Sequence, residues 1–500
     1  ERPVSGPVFG LLFALKAVSD RLHITSVLGR HKLAKTALFL ILARISAHGS
    51  RLHALKWSED HAVAETLGIK IRKDDLYFAL DWLADHQESI EKRLFKKRYE
   101  DGEIPDLFLY DVTSSYFEGT KNELADWGYN RDRKNGKMRI VIGLLTDKTG
   151  EPVAVRVFEG NTADTSTFPE QILTVAKKFK VGRVTFVGDK GMIRGPQISQ
   201  LEKAGFNYIT SITKKEINTL LKNNCIQYEL FSETVAEVEH ETETEKKSEN
   251  GETVGEIVKK KVRYVIRRNP WRMSDIRKNR NSRIRKIAEL ASEQTEYLRE
   301  SERRSPEVAL RKVEEKIVRC KLAKVLSAEL CGDDGREIKV TTDPDGKSEI
   351  EKLDGCYVIK TDLSERLITA EEVHDRYKDL SKVEKAFRII KTEFLEIRPI
   401  FVRLEKRTRG HVFACMLAYT VLREIRRGLR SEFGTDDEGR LELDEDNMVE
   451  ALSRITLLFY KSDDGEMIPG IAEPDQRQKR ILGAIGVKLP DFGLIPQKPN

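Results

Sequence analysis

The pattern of apolar and polar residues changes near residue 100. Over residues 1–100, apolar residues recur at intervals of three and four, which predicts helices with no strand between them. From residue 107 to 213, segments rich in β-branched and aromatic residues predict strands that alternate with helical segments. Three strands followed by helix, strand, helix and strand predict an α/β fold, in which helices flank a mixed sheet.

The composition changes again after residue 214. Residues 233–251 are polar and acidic, which predicts the tip of a hairpin, and residues 259–268 predict a basic strand. Single helices are predicted over 371–394 and 407–430. We expect five regions, which are a helical N-terminal region (1–100), the first part of a sheet domain (101–214), an insertion (215–350), the completion of the sheet domain (351–434) and a C-terminal tail region (435–500). In the first region, a DNA-binding helix-turn-helix and an ordinary accessory domain remain equal alternatives.

Length and charge limit the classes of protein to be considered. A chain of 500 residues exceeds what one hydrophobic core supports, so we expect two or three domains. The net charge of +6 is a weak excess, and nucleic-acid binding would have to come from local patches such as residues 276–286. Five scattered cysteines do not form a disulfide pattern and favour a reducing cytoplasm. The apolar stretches are too short to cross a membrane.

Three carboxylates stand out by position. Asp111 lies inside an otherwise apolar strand pattern, where a charge is costly unless it is paired or bound to a ligand. Asp189 ends the strand pattern VTFVGD, and Gly191 allows a sharp turn after it. Glu384 lies at the border of an apolar helical stripe, aligned with residues seven positions before and after it. A surface strand, a turn aspartate and ordinary border charges are the alternatives to a functional role.

Carboxylates on two strands and one helix suit one kind of chemistry. Mg²⁺ prefers hard oxygen ligands, and two such ions can assist phosphodiester cleavage without a histidine base. A basic segment, GYNRDRKNGKMRI (128–140), follows the first aspartate. Tyr129, Arg131, Arg133 and Lys137 in this loop are candidates for contacting DNA, with a solvated loop as an equal alternative.

The chain resembles bacterial insertion-sequence transposases of the DDE type. The resemblance rests on LYDVTSSYFEG around Asp111, on VGDKGM around Asp189 and on the seven-residue spacing of the last helix, and it covers roughly residues 100–430. One group of these enzymes carries the signature Tyr-x2-Arg-x3-Glu-x6-Lys. Tyr377, Glu384 and Lys391 match this signature, and Leu380 stands where its arginine would be.

The resemblance implies a fold, a reaction and its participants. The fold is a ribonuclease-H-like catalytic domain that is interrupted by a largely β insertion. Asp111, Asp189 and Glu384 would be the catalytic residues and the ligands of two Mg²⁺ ions, for which Mn²⁺ can substitute. Tyr377, Arg388 and Lys391 would contact DNA.

The implied reaction is cut-and-paste transposition, which means cleavage at element ends and strand transfer into a target. The partners would be terminal inverted repeats, target DNA and a second copy of the chain that pairs two ends, with no membrane. The cytoplasm of a bacterium or archaeon, at the nucleoid, would be the location. A simple metal-dependent nuclease and a domesticated DNA-binding protein without catalysis are the alternative functions.

Overall fold

The computed structural model describes residues 4–119, 121–128, 136–179, 184–247, 253–391, 395–398, 402–461, 467–491 and 494–495. Residues Tyr129, Arg131 and Arg133 of the predicted DNA-contacting loop lie outside these ranges. The chain forms two compact units. Unit 1 comprises Glu1–Asn207 and Lys378–Asn500, and unit 2 comprises Tyr208–Tyr377.

The N-terminal part of unit 1 is mainly helical. Its elements are β1 (Val4–Val8), α1 (Gly10–Arg21), α2 (Ile24–Leu28), α3 (Lys32–Ser46), α4 (Arg51–Trp57), α5 (Val63–Leu67) and α6 (Lys73–Arg98). Helix α3 is buried along most of its length, and α6 packs against it with one apolar face. The predicted helical N-terminal region is therefore confirmed, with the addition of the short strand β1.

A mixed sheet forms the centre of unit 1. Its elements are β2 (Leu107–Tyr116), β3 (Arg139–Asp147), β4 (Pro152–Phe158), α7 (Asp164–Leu173), a π-helical segment (Thr174–Phe179), β5 (Thr185–Gly188) and α8 (Gly195–Lys203). The strand order is β4-β3-β2-β5, in which β2 pairs antiparallel with β3 and parallel with β5. Residues of β3 are buried throughout, as expected for a strand covered on both faces.

Unit 2 contains further strands and several helices. Its elements are β6 (Asn207–Ser211), α9 (Lys214–Lys222), a 3-10 turn (Tyr228–Leu230), β7 (Ala236–Lys247), β8 (Thr253–Arg268), α10 (Pro270–Arg299), α11 (Pro306–Arg319), β9 (Leu326–Cys331), β10 (Glu337–Thr342), α12 (Pro344–Glu351), β11 (Cys356–Thr361) and α13 (Ala370–Lys378). The order β6-β11-β8-β7 is antiparallel throughout. A separate apolar core lies between α10, α11 and the hairpin β9–β10.

Unit 1 is completed by the C-terminal part of the chain. Its elements are α14 (Leu380–Lys391), α15 (Glu405–Phe433), α16 (Glu445–Ser453), β12 (Thr456–Lys461), β13 (Met467–Ala472), α17 (Gln476–Ala484) and β14 (Leu494–Ile495). Strands from both ends of the chain form a small sheet of order β1-β12-β13-β14. Helix α15 is largely buried and packs against α6, α3 and β4. Helices on a mixed sheet, together with the helical N-terminal region, confirm the predicted α/β fold class.

The prediction of one helix over 371–394 is wrong. Helix α13 ends at Lys378, Asp379 forms a turn, and α14 begins at Leu380. Asp379 stabilises the new helix start, because its carbonyl accepts from the Lys382 amide at 2.8 Å and its carboxylate pairs with Lys382 Nζ at 2.8 Å. Within the described ranges, no helix has the length and apolar character needed to span a membrane.

Candidate active site

The two aspartates occupy equivalent positions on neighbouring parallel strands. Leu109 of β2 is in register with Val187 of β5. Asp111 follows Leu109 by two residues within β2, and Asp189 follows Val187 by two residues, directly after the end of β5. Since adjacent strands lie about 4.8 Å apart, this register gives the two aspartates the same level at one end of the strand pair.

Asp111 lies on the face of β2 that also carries Thr113, because side chains alternate along a strand. The neighbouring residue Tyr110 faces the other way, and its ring lies 5.7 Å from that of Phe168 in α7. Asp111 is half-buried, and its Oδ1 accepts a hydrogen bond from the Val112 amide at 2.8 Å. The face of β2 with Asp111 is therefore the one turned away from α7.

Asp189 is exposed directly after β5. Its Oδ1 accepts from the Gly191 amide at 2.8 Å, and its carbonyl accepts from the amides of Met192 and Ile193 at 3.0 and 3.1 Å. A Cβ on Gly191 would lie 3.0 Å from the same Oδ1. A side chain at position 191 would therefore crowd this oxygen, and the turn holds the carboxylate directly after the carboxyl end of β5.

Helix α14 lies against the Asp111 face of β2. Lys391 Nζ donates to Thr113 Oγ1 at 3.1 Å, which fixes the last turn of α14 over this face. Glu384 stands seven residues before Lys391, so it lies on nearly the same line of the helix, about 10 Å away. Glu384 is exposed and has no hydrogen-bond or ion-pair partner in the described part of the chain.

The donor types fit a hard divalent cation, since Asp111, Asp189 and Glu384 offer only carboxylate oxygens. The register of the two aspartates also suits ligands of one ion. However, the described residues contain no group of three acidic, histidine or cysteine side chains gathered closely enough to hold a metal ion. The three carboxylates therefore do not form a completed metal centre in this conformation.

The remaining signature positions have separate surroundings. Tyr377 belongs to α13 in unit 2, where its hydroxyl donates to Ser211 Oγ at 2.8 Å. Leu380 is buried at the start of α14, so an arginine in its place would bury a charge. Arg388 is exposed and, among the described residues, has no ion-pair partner. The structure thus explains the departure at Leu380 and leaves Arg388 as the available cation.

Lys137 belongs to the described end of the predicted DNA-contacting loop. Its Nζ pairs with Glu118 Oε2 at 3.0 Å, and both side chains are partly exposed. Arg139 is buried, and its Nε donates to the carbonyl of Gly160 at 2.8 Å. At this end of the loop, Lys137 is therefore paired with an acid, and Arg139 has a structural role.

Helix α10 in unit 2 has a divided charge pattern. Its N-terminal part, residues 270–286, carries exposed cations without an acidic partner in the described part of the chain, and these are Arg272, Lys278, Arg283, Arg285 and Lys286. Its C-terminal part carries Glu289, Glu293 and Glu296, and Glu300 follows the end of the helix. The helix dipole favours the opposite arrangement, with acids near the N-terminus and bases near the C-terminus. Helix stability therefore does not account for this charge pattern, which suits a polyanion bound along residues 270–286.

The basic strand β8 presents less free charge than its sequence indicates. Lys261 Nζ lies 2.6 Å from Glu239 Oε1 on β7. Arg263 is buried, pairs with Glu237 and donates to the carbonyls of Leu363 and Ile368. Lys261 and Arg263 of β8 are thus paired with acids of β7, and Arg263 is also hydrogen-bonded inside unit 2.

Several solved structures are similar to the chain. A synaptic complex of piggyBac transposase with hairpin DNA shows 10% identity and a TM-score of 0.38, over 90% of this chain and 81% of that chain. A paired-end complex of Mos1 transposase with the left transposon end shows 11% identity and a TM-score of 0.16, over 35% of this chain and 57% of that chain. No curated protein matches the chain.

Residues 103–421 match the family described as transposase DDE domain. This range contains β2 to β5, all of unit 2 and α14, and therefore Asp111, Asp189 and Glu384. Since the match extends over more than half of the chain, the protein belongs to the transposase DDE domain family.

Proposed function

We propose that this transposase cleaves DNA at the ends of a mobile element and joins the freed ends to target DNA, with Asp111, Asp189 and Glu384 as its catalytic carboxylates. The observation that carries the proposal is the parallel register of β2 and β5, which supports a shared site for Asp111 and Asp189. The contact from Lys391 to Thr113 supports the third member, because it holds the helix of Glu384 over the same face of β2.

The protein's own groups have separate tasks in this proposal. Asp111 and Asp189 supply ligands from a rigid sheet, since both follow paired positions of neighbouring strands. Glu384 supplies a ligand from a helix, and its exposure leaves it accessible to DNA. Arg388 follows Glu384 by one helical turn, where its guanidinium can contact a neighbouring phosphate.

The three carboxylates would hold two Mg²⁺ ions, or Mn²⁺ in their place. When bound, such ions neutralise the charge that develops on the attacking and leaving oxygens of a phosphodiester. Carboxylate oxygens are suitable ligands for both metals. Because the described conformation does not gather the three carboxylates into one metal group, we propose that Glu384 closes onto the aspartates when DNA is bound.

Two copies of the chain acting on two element ends complete the proposal. The similar structures are a synaptic complex and a paired-end complex of other transposases. By analogy, we expect two protomers to bridge two end duplexes. Light scattering of the complex with end DNA would measure a mass of two chains and two duplexes. A mass of one chain and one duplex throughout the concentration range would contradict pairing.

The experiment that tests the catalytic assignment replaces the carboxylates without changing their size. Asp189→Asn and Glu384→Gln should keep end-DNA binding and lose nicking in Mg²⁺ by at least about 100-fold, because an amide is a poor ligand for this ion. Asp437→Asn, an exposed aspartate after α15, is the matched control and should nick normally. Asp189→Cys should regain more nicking in Mn²⁺ than in Mg²⁺, because the thiolate is a softer ligand.

Each outcome separates the candidate functions. Nicking by Asp189→Asn at the wild-type rate would show that Asp189 is not a ligand. Nicking by the wild type without joining of pre-cut ends to a target would indicate a simple nuclease. End binding with no cleavage by the wild type in either metal would indicate a DNA-binding protein that has lost catalysis.

A further inference from the structure

Two helices of unit 1 bring unpaired cations together beside the candidate active site. Helices α14 and α15 pack against each other. Lys385 and Arg388 are exposed on α14, and Arg430 is exposed on the last turn of α15. Within the described ranges, none of these three side chains has a hydrogen-bond or ion-pair partner. We call Lys385, Arg388 and Arg430 the shoulder cluster.

The lack of partners distinguishes these three cations from their neighbours on α15. Neighbouring arginines on α15 are paired, since Arg427 contacts Glu424 at 2.8 Å and Arg426 contacts Glu445 of α16. The chain as a whole has nearly equal numbers of basic and acidic residues, 88 and 82. A random distribution would therefore supply acids to these cations as well. The shoulder cluster is therefore a local excess of positive charge next to arginines of α15 that are neutralised.

On α14, the cations of the shoulder cluster lie on the side of the helix that faces away from the sheet. Buried residues occupy a broad arc of the helix, from Leu380 and Val383 to Ile389. Lys391 and Glu384 lie on the edge of this arc that faces β2, as the contact with Thr113 shows for Lys391. Lys385 is about 100° further around the helix, toward α15, and Arg388 lies between Glu384 and Lys385. The exposed face of α14 therefore leads from the candidate catalytic glutamate to the cations without an interruption.

Electrostatics agrees with this placement. Partial burial lowers the pKa of Lys385, and the positive charges of Arg430, Arg426 and Arg388 lower it further. The charged form of Lys385 is thus less favourable in the folded chain than in the unfolded chain. Arg388 and Arg430 each lie in the last turn of a helix, where the dipole favours cations, but this does not explain Lys385 or the convergence of all three.

We propose that the shoulder cluster binds the phosphate backbone of duplex DNA next to the point of cleavage, independently of base sequence. The proposal rests on the proposed function, and it adds Lys385 and Arg430 as binding residues outside the signature positions. Three neighbouring cations on two helices can neutralise phosphates of a duplex. Phosphate contacts position a duplex and carry no direct base information, so the cluster would bind flanking or target DNA as well as element ends.

The test uses the full chain and the double variant Lys385→Gln with Arg430→Gln. Its affinity for a random duplex and for an end duplex is measured over a range of salt concentrations. Each lost phosphate contact lowers the slope of log K against log salt by about 0.9, so the expected loss is about 1.8 on both duplexes. The matched control is Arg427→Gln with Arg454→Gln, which removes the same charge from residues that have acidic partners, Glu424 and Glu450.

A second measurement distinguishes binding from a structural role. Because the cations repel one another, Lys385→Gln should leave the melting temperature unchanged or raise it slightly. A variant that loses melting temperature together with affinity would assign the cluster to the fold. An unchanged salt slope, or the same change in the control, would overturn the proposal. Loss of a dimer on sedimentation of the free double variant would instead assign the cluster to an acidic surface of a second copy.

This outcome is separate from that of the catalytic assignment. The shoulder cluster is measured by equilibrium binding without cleavage, whereas Asp189→Asn is measured by cleavage with binding retained. If Asp189→Asn still cleaves DNA, the catalytic assignment fails, but the salt dependence of binding still tests the shoulder cluster. If the double variant keeps the wild-type salt slope, the DNA-binding role of the shoulder cluster fails, but the proposed catalytic roles of Asp111, Asp189 and Glu384 are not affected.

Discussion

At the scale of single residues, the two kinds of buried polar group in unit 1 have different explanations. Arg156 is buried and pairs with the fully buried Glu91 at 2.9 Å and with Glu170 at 2.9 Å. Its pKa is raised, because the attraction of these acids outweighs the lowering by burial. Asp111 also carries charge into the sheet, but it is half-buried in the middle of β2, and the register of β2 with β5 sets it level with Asp189. The Arg156 group is a structural ion pair, whereas Asp111 is a candidate ligand.

His411 is a buried histidine that the sequence places beside the apolar run VFACMLAY, where a satisfied core histidine is the expected identity. The structure confirms this, since His411 is buried and its Nε2 lies 3.2 Å from the carbonyl of Ile397. A carbonyl can only accept, so Nε2 carries the proton of a neutral ring. Burial first, and then the charges of Arg44 and Arg51, hold the pKa of His411 well below 6.5.

This pKa predicts a dependence of stability on pH. In the unfolded chain His411 takes up a proton near pH 6.5, and in the folded chain it does not, so stability is present above pH 6.5 and is lost as pH falls below it. His411→Gln keeps an amide donor but does not ionise. At pH 8 it should be less stable than the wild type by about 1–3 kcal/mol. Below pH 6.5 this difference should shrink by up to about 1.4 kcal/mol per pH unit.

Denaturant unfolding of both proteins at several pH values measures this difference. Other titrating groups affect both proteins alike, so the comparison isolates His411. A difference that stays constant from pH 8 to pH 5 would show that His411 is protonated in the fold, or is equally shielded when unfolded.

At the scale of elements, the sequence predicts what depends on local periodicity and misses what depends on distant partners. The N-terminal helices follow from apolar spacing alone. Strand β1 is a short segment containing Gly6 and Pro7, and it pairs with β12 from the other end of the chain, so no local pattern predicts it. The break at Asp379 is likewise hidden, because residues 371–394 keep helical spacing on both sides of it.

The same reasoning applies to the candidate site. Motifs indicate Asp111, Asp189 and Glu384 individually, but the register of β2 with β5 needs the fold. The basic character of β8 is plain in the sequence, whereas its neutralisation depends on the register that places Lys261 opposite Glu241 and beside Glu239. From the sequence, segment 233–251 predicts only the polar tip of a hairpin. The sequence therefore does not show that acids of β7 pair with the cations of β8.

The contrast between α10 and β8 predicts different contributions to DNA binding. Lys278→Gln, Arg285→Gln and Lys286→Gln together should lower the salt slope by up to about 2.7, because each cation that leaves a phosphate lowers it by about 0.9. Lys261→Gln should leave the slope unchanged, since Glu239 already neutralises this lysine. Filter binding of a random duplex at five salt concentrations measures both. Equal loss per charge in the two elements would show that the β7–β8 pairing opens when DNA binds.

At the scale of the whole molecule, DNA affinity has to come from local excesses of charge. The net charge of the chain is only +6. Many exposed cations are also paired with acids, as Arg440 is with Asp436 and Lys479 is with Glu473. Among the described residues, two of the groups of cations without partners are residues 272–286 of α10 in unit 2 and the shoulder cluster in unit 1. Each unit thus offers a surface of its own for a phosphate backbone.

The combined variant of both surfaces tests whether one duplex contacts them together. Counterion release adds over all phosphates that a protein neutralises, whichever unit supplies the cation. If one duplex contacts both surfaces, the loss of slope in a variant carrying the α10 and the shoulder substitutions should equal the sum of the separate losses. The measurement uses one duplex long enough to contact both units, over the same salt range, with Asp189→Asn as the background so that cleavage does not interfere. A loss equal to the larger single value would mean that each surface holds a different duplex. In that case, Asp189→Asn alone, with both surfaces intact, should bind a second duplex in excess, as expected if one surface holds the element end and the other the target.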